Sequence, residues 1–292
     1  MTSLSLFNKV VVRWIATLGL IAVSGLGYGY GFSHWPLTPE LSATSAILLD
    51  ESGYTVMSKN PDTSVPIASI TKIMTALVLV DEPKNLEGSA TILKDDVDRV
   101  RFTKKTLKIG GTYSKKLLLD LMLVSSDNMA AHALARTSKQ GYSAFISQMN
   151  KKAADLGLSG TYFVDPSGLS AFNRGTARDI ARLMSIASYV SQIKTAAKTR
   201  EITVAATLPT KSKNKHTKKL STTRIFRNTN KLMADTSWQF VVAKTGFHDD
   251  AGQCMGLITK INNRSYTFVV LGARGPLSRY KDLAKMQSML KT

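Results

Sequence analysis

The chain is expected to fold as α+β, with one antiparallel sheet flanked by helices and a helical subdomain set between the two parts of the sheet. Three observations predict this. Strand-like runs occur early, between residues 45 and 59, and again late, between residues 240 and 272. The residues between them are mostly apolar runs at helical spacing. Hydrophobic residues make up 43% of the 292 and charged residues 20%, which supplies a substantial core and excludes wholesale disorder.

Residues 1–36 are expected to be a signal peptide or signal anchor. Lys9 and Arg13 precede an uncharged run from Trp14 to Phe32, and a basic segment followed by an apolar one marks an export signal. As a helix that run would be roughly 28 Å long, about one hydrocarbon core, although Gly25, Gly27, Gly29 and Gly31 weaken its second half. Positive flanks stay in the cytoplasm, so residues 37–292, expected as one domain, would lie beyond the membrane, in the periplasm or an equivalent space.

From Leu41 to Pro61, SAILLD and YTVMSKN read as a hairpin that turns at Asp50–Gly53. Ile67 to Val80 is apolar and free of Gly and Pro, as suits a largely buried helix. Asp81 to Gly111 is polar and mixed, with few signals. Leu117 to Val124, Asn128 to Thr137 and Tyr142 to Leu156 read as helices, the last ended by Gly157. Thr176 to Val190 is a further helix. Ile202 to Ala234 holds eight Lys and Arg and no acid, and Lys211–Lys219 reads as an exposed basic loop. Phe240–Phe247, Gln253–Ile261 and Ser265–Gly272 read as strands, with a tight turn at Asn262–Asn263. Leu277 to Leu290 closes the chain as a helix. No internal repeat is visible.

Composition narrows the chemistry. The single Cys254 excludes an intrachain disulfide and any multi-cysteine metal site. His34, His132, His216 and His248 are scattered and show no metal-ligand spacing, so neither metal nor cofactor is expected. His132, on a helix, reads as a packed or surface histidine. The formal charge is +19. This suggests an anionic partner, and an exported chain meets an anionic cell wall or membrane surface rather than nucleic acid. No G-x-S-x-G nucleophile elbow, Walker A loop or dinucleotide fingerprint is present.

Three short motifs remain. Ser69-Ile70-Thr71-Lys72 opens the first apolar helix, and its i,i+3 spacing puts Lys72 one turn above Ser69. Ser126-Asp127-Asn128 lies between two expected helices, and Lys244-Thr245-Gly246 ends an expected strand. Each is weak alone: S-x-x-K also begins at Ser191, Ser212, Ser278 and Ser288, and S-x-N at Ser58 and Ser212. Their order, each in a fitting local structure, carries the signal.

This triple resembles that of penicillin-binding proteins and class A β-lactamases. With IASITKIMTAL, VSSDNMAAHALA, TYFVDPSGLS, TARDIARLM, FRNTNKLM and KTGFHDDAGQC, the chain from about Ala43 onward is similar to the low-molecular-weight penicillin-binding proteins, the S11-type D-alanyl-D-alanine peptidases. It is most similar to their endopeptidase branch. The resemblance implies a β-lactamase/transpeptidase-like fold and a serine peptidase that acts on peptidoglycan peptides through an acyl-enzyme and is blocked by β-lactams. Ser69 would be the nucleophile and Lys72, as a neutral amine, its base. Ser126 would relay a proton. Asn128 would hold Lys72 and the substrate backbone. Lys244, as a fixed cation, and Thr245 would meet the substrate carboxylate, and Gly246 would let the substrate add as a strand. The resemblance assigns the oxyanion hole to the backbone N–H groups of Ser69 and Phe247.

Two other readings stay open. A class A-like β-lactamase needs a deacylating glutamate, and no Glu occurs between Glu87 and Glu201. A non-catalytic penicillin-binding sensor would lack part of the machinery, all of which is present. The motifs do not separate carboxypeptidase from endopeptidase, because both substrates carry a carboxylate beside the scissile amide.

Overall fold

The computed structural model describes residues 39–98, 101, 106–210 and 218–291. The expected export segment lies outside them. In chain order the elements are β1 (Ser45–Leu49), β2 (Thr55–Lys59), β3 (Val65–Pro66), α1 (Thr71–Asp81), β4 (Ser89–Thr91), β5 (Thr112–Ser114), α2 (Lys115–Val124), α3 (Asn128–Arg136), α4 (Tyr142–Asp155), β6 (Arg174–Gly175), α5 (Ala177–Ala187), α6 (Ser191–Lys198), β7 (Glu201–Thr210), β8 (Lys218–Arg227), β9 (Gln239–His248), β10 (Gly252–Ile261), β11 (Arg264–Ala273) and α7 (Ser278–Ser288).

The early hairpin and the late strands form a single antiparallel sheet, ordered β2-β1-β11-β10-β9, as expected. Successive side chains on a strand point to opposite faces, and here both faces are covered. Ile47, Cys254, Ile258, Val269 and Leu271 join the core shared with the helical region. Ala46, Leu48, Met255, Leu257, Phe268 and Val270 join a second core with Leu283 and Met286 of α7. Burial on both faces explains why these strands read as continuous apolar runs. The β10–β11 turn uses Asn262 and Asn263, both at positive φ (50° and 63°), the conformation that a two-residue hairpin loop requires.

The helical middle is built on α1, which has no polar face because it is wrapped by the other helices: Ile73, Met74, Ala76, Leu77 and Leu79 are all buried. α5 instead buries Ala177, Ile180, Ala181, Met184 and Ala187 and exposes Arg178, Arg182 and Ser185. Side-chain caps set three helix starts. Ser114 accepts from Leu117 N, Asp127 from Ala130 N and Thr176 from Asp179 N. The chain ends are tied by the buried Asp282 on α7, whose carboxylate accepts from Ser42 N (3.0 Å), Ser42 Oγ (2.9 Å) and Ala43 N (2.8 Å).

Two stretches differ from expectation. The residues on either side of the expected basic loop, which the sequence reading left without elements, form a long hairpin: β7 pairs with β8 from Glu201↔Arg227 to Thr210↔Lys218. Lys218 and Lys219 are strand residues, while 211–217 lie outside the described residues. In addition, Ser191–Lys198 forms α6, which the sequence reading lacks.

Candidate active site

Ser69 sits on a single 3-10 turn, Ala68–Ile70, that runs into α1. Ala68 is held at φ 47°, in the left-handed region that a non-glycine residue rarely adopts. Packing imposes this conformation. A Cβ on Gly168 would lie 1.9 Å from Ala68 O, and a Cβ on Gly246 would lie 2.9 Å from Ile67 O and 3.0 Å from Ser69 N. The serine turn is thus clamped between two glycines, one from the PSGL loop and one from β9. Gly246 thus has a structural role besides the one expected of it. The space where its side chain would stand is filled by the protein's own serine turn, and β9 is the edge strand of the sheet.

Lys72 is fully buried on α1. Its Nζ lies 2.9 Å from Ser69 Oγ, 2.7 Å from Asn128 Oδ1 and 2.6 Å from Ser167 O. The two carbonyl oxygens only accept. A neutral amine has two N–H groups for them and one lone pair, which the Ser69 hydroxyl can fill by donating. Burial lowers the Lys72 pKa to about 7, against the opposing pull of the Asp165 and Asp127 charges. The neutral form is therefore available near pH 7, and it points its lone pair at the serine.

Ser126, between α2 and α3, is also at positive φ (60°). The next residue, Asp127, caps α3 and accepts a hydrogen bond from Thr106 Oγ1. Asn128 then starts the helix with its Oδ1 against Lys72. Lys244 comes from β9, buried, with Nζ 2.9 Å from Ser126 Oγ and 3.0 Å from Thr245 O. Both acceptors are neutral oxygens. Burial, with Lys72 and Arg279 adding like charge, pushes Lys244 well below the usual lysine range. A carboxylate arriving beside Lys244 would favour its charged form.

Ser69, Ser126, Asn128, Thr245, Gly246 and Phe247 line one cleft of about 290 Å³, together with Thr229 and Arg279. The two lysines stand behind this lining. The last two lining residues carried no assigned role in the sequence. Thr229 lies within the FRNTNKLM block, and its Oγ1 is 2.6 Å from Thr245 Oγ1. Arg279, on α7, donates to Gly246 O (2.8 Å), Cys254 O (2.9 Å) and Gln253 Oε1 (2.9 Å). The carbonyl and N–H of a trans peptide point in opposite directions, so the bond to Gly246 O turns Phe247 N–H away from Arg279. The Phe247 side chain is 59% exposed.

Two acidic residues sit close enough to influence the site, and neither offers a free oxygen for activating water. The Asp165 carboxylate is saturated by Ser167 N, Ser167 Oγ, Gly168 N, Ser170 N and Asn173 Nδ2, and Asp127 is taken up by its cap and by Thr106. Glu201 pairs with Arg227 at the base of the β7–β8 hairpin. Among the described residues no cluster of acids, histidines and cysteine is arranged to hold a metal ion.

A serine at a strained helix start, with a buried lysine against its hydroxyl, is the arrangement of an acyl-transferring serine hydrolase that works without histidine. Comparison with known proteins agrees. The family profile described as D-alanyl-D-alanine carboxypeptidase (Peptidase_S11) matches residues 33–275, and the chain belongs to this family. It is 36% identical to a D-alanyl-D-alanine endopeptidase of Pseudomonas aeruginosa over 258 residues, covering 88% of this chain and 80% of that protein. It is 34% identical to the D-alanyl-D-alanine endopeptidase of Escherichia coli, over 87% and 79% of the two chains. Among solved structures, a Streptomyces DD-transpeptidase superposes with a TM-score of 0.75 at 27% identity, covering 87% of this chain and 98% of that one. Penicillin-binding protein D2 of Listeria monocytogenes, in its cefotaxime-bound form, gives 0.72 at 26%, over 87% and 99%. The expected β-lactamase/transpeptidase-like fold is thereby established.

Proposed function

We propose that this enzyme cleaves D-alanyl peptide bonds of peptidoglycan through an acyl-enzyme on Ser69, acting foremost as a D,D-endopeptidase on cross-links. The observation that carries this reading is the buried Lys72 amine, 2.9 Å from the serine hydroxyl, whose two other neighbours are carbonyl oxygens, so that in the neutral amine the lone pair is left for Ser69. Lys72 takes the Ser69 proton as Oγ attacks the D-alanyl carbonyl. The N–H groups of Ser69 and Phe247 hold the oxyanion. Ser126 passes a proton to the leaving amine, and water then releases the acyl group by the reverse route. Lys244 and Thr245 meet the carboxylate beside the scissile bond. The relatives from Pseudomonas aeruginosa and Escherichia coli favour the endopeptidase, since both bear that name.

Action outside the cytoplasm fits both the substrate and the basic, apolar segment at 1–36, which we assign to export. Among the described residues no helix is long and apolar enough to cross a membrane. The charge of +19 suits attraction to the anionic wall.

The test is incubation with purified cross-linked muropeptides and, separately, with a pentapeptide ending in D-Ala-D-Ala. The expected result is conversion of dimers to monomers and covalent labelling by penicillin, both lost in Ser69→Ala. Labelling of Ser69→Ala, or inertness towards both substrates, would overturn the reading. Rapid turnover of a chromogenic cephalosporin would replace it with a β-lactamase.

A further inference from the structure

Behind Lys72 runs a chain of polar groups that the reaction above does not use. The Tyr142 hydroxyl lies 3.3 Å from His132 Nδ1, and His132 Nε2 lies 3.2 Å from Ser167 Oγ. Ser167 Oγ is 2.7 Å from Asp165 Oδ1. The hydrogens can be assigned by elimination. Burial pushes the Asp165 carboxyl upward, but its bonds to the Ser167 hydroxyl and to the backbone N–H groups of Ser170 and Ser167 outweigh this, so its pKa falls and it is ionised and only accepts. Ser167 must then spend its one hydroxyl hydrogen on Asp165 and accept from His132. His132 therefore carries its hydrogen on Nε2, which leaves Nδ1 to accept from Tyr142. Desolvation favours this neutral imidazole, with the nearby Lys72 charge acting the same way and Asp165, Asp96 and Asp98 opposing.

The far end of this chain is the residue that holds the base. Ser167 O accepts from Lys72 Nζ at 2.6 Å. Ser167 has few ways to move, because its N–H and O–H both go to Asp165 Oδ1, and the remaining lone pairs of Oγ face His132. His132 also lies four residues after Asn128 on α3, hence on the same helix face. One face of α3 thus touches the lysine twice, directly through Asn128 Oδ1 and indirectly through His132 and Ser167.

We propose that His132 is a positioning residue for catalysis: its Nε2–H fixes Ser167, whose carbonyl aims the Lys72 amine at the Ser69 hydroxyl. The inference rests on the acyl-enzyme reading above and adds to it a residue that the three motifs do not contain. His132 is not among the residues that line the cleft. Losing its N–H should therefore lower the rate of acylation with little change in substrate binding.

The test uses the full chain, with stopped-flow acylation by fluorescent penicillin and steady-state hydrolysis of a D-alanyl peptide. His132→Leu keeps much of the volume and removes the donor. It should slow acylation and kcat by about tenfold, the worth of one well-placed hydrogen bond, with KM and the melting temperature close to wild type. His132→Gln offers an amide N–H from the same direction and should restore most of the rate. A wild-type rate in His132→Leu, or His132→Gln as slow as His132→Leu, would overturn the proposal. Should His132→Leu fail to fold, Tyr142→Phe probes the same chain by releasing the tautomer. A drop in kcat of about threefold then supports the proposal and an unchanged kcat overturns it. Failure of the wild type itself to acylate would instead sink the underlying reading, and this inference with it.

Discussion

Burial and nearby carboxylates act on Lys72 with opposite sign, and the balance between them is testable. Burial lowers its pKa to about 7, while the Asp165 charge raises it. Only the unprotonated amine can take the serine proton, so the acylation rate should rise with pH through about 7 and then level. Replacing Asp165 by Asn removes the charge that favours the ammonium. The midpoint of the acid limb should therefore move to lower pH, whatever the loss in absolute rate. A stopped-flow pH profile with the midpoint unmoved or higher would contradict this account of the base. Lys72→Arg should abolish acylation, because a guanidinium does not give up its proton, whereas Lys244→Arg should retain part of it. Stability follows the same shift. Between about pH 7 and the ordinary lysine value of 10.5, the unfolded chain holds a proton on Lys72 that the native chain lacks. Unfolding should become harder as pH rises through that window, and Lys72→Met should flatten the rise in denaturant midpoint.

Each motif residue acts through the element that presents it, and glycine shows this most directly. A Cβ on Gly246 would press on Ile67 O and Ser69 N, which are backbone atoms of the serine turn and cannot rotate away. Gly246→Ala should therefore displace the nucleophile, slowing penicillin acylation by tenfold or more and costing about 1–3 kcal/mol of stability. Normal acylation by that variant would show that the turn is free to yield. Elements and motifs were legible in the sequence wherever a local rule governs them. The early hairpin, the apolar α1 and the Asn262–Asn263 turn each follow from residues close in sequence. So does the ordering of Ser69, Ser126 and Lys244, which the fold gathers at one cleft. What escaped depends on distant partners. α6 is eight residues long, has no side-chain cap and buries only Ile193, Ala196 and Ala197. Thr229, Arg279 and His132 make hydrogen bonds to other elements, which their own stretches of sequence do not specify. Asn128 followed four residues later by His132 was the one available hint, and it is weak without Ser167.

At the scale of the whole molecule, the sheet and helices form the catalytic body and the β7–β8 hairpin is an appendage to it. The strands escaped the sequence reading although β7 alternates Ile202, Val204, Ala206 and Leu208, because Pro209 and the lysine-rich run after it read as a loop. Glu201, Thr203 and Ala205 on one strand and Thr223, Arg224 and Ile225 on the other are exposed, and Val204 and Phe226, at the base, are the buried pair. Among the residues whose side chains are described, burial is thus confined to the base of the hairpin. The same fact predicts what removing the outer part should do. Ala205 and Thr223 face each other across the ladder, so residues 206–222 can be replaced by Asn-Gly, which suits a two-residue turn. Val204 and Phe226 remain, and the melting temperature should hold within a few degrees, about the shift that 1 kcal/mol brings to a chain of this size. Penicillin acylation should be unchanged, since no residue of the cleft is touched. The deletion does remove Lys211, Lys213, Lys215, Lys218 and Lys219. If the basic charge serves attachment to the anionic wall, the shortened enzyme should elute from purified peptidoglycan sacculi at lower salt than the full chain, because exposed charges act over only about 10 Å at 0.1 M salt. Equal retention at every ionic strength would mean that the lysines merely solvate the hairpin. Loss of acylation would mean that the hairpin supports the cleft, against the division drawn here between body and appendage.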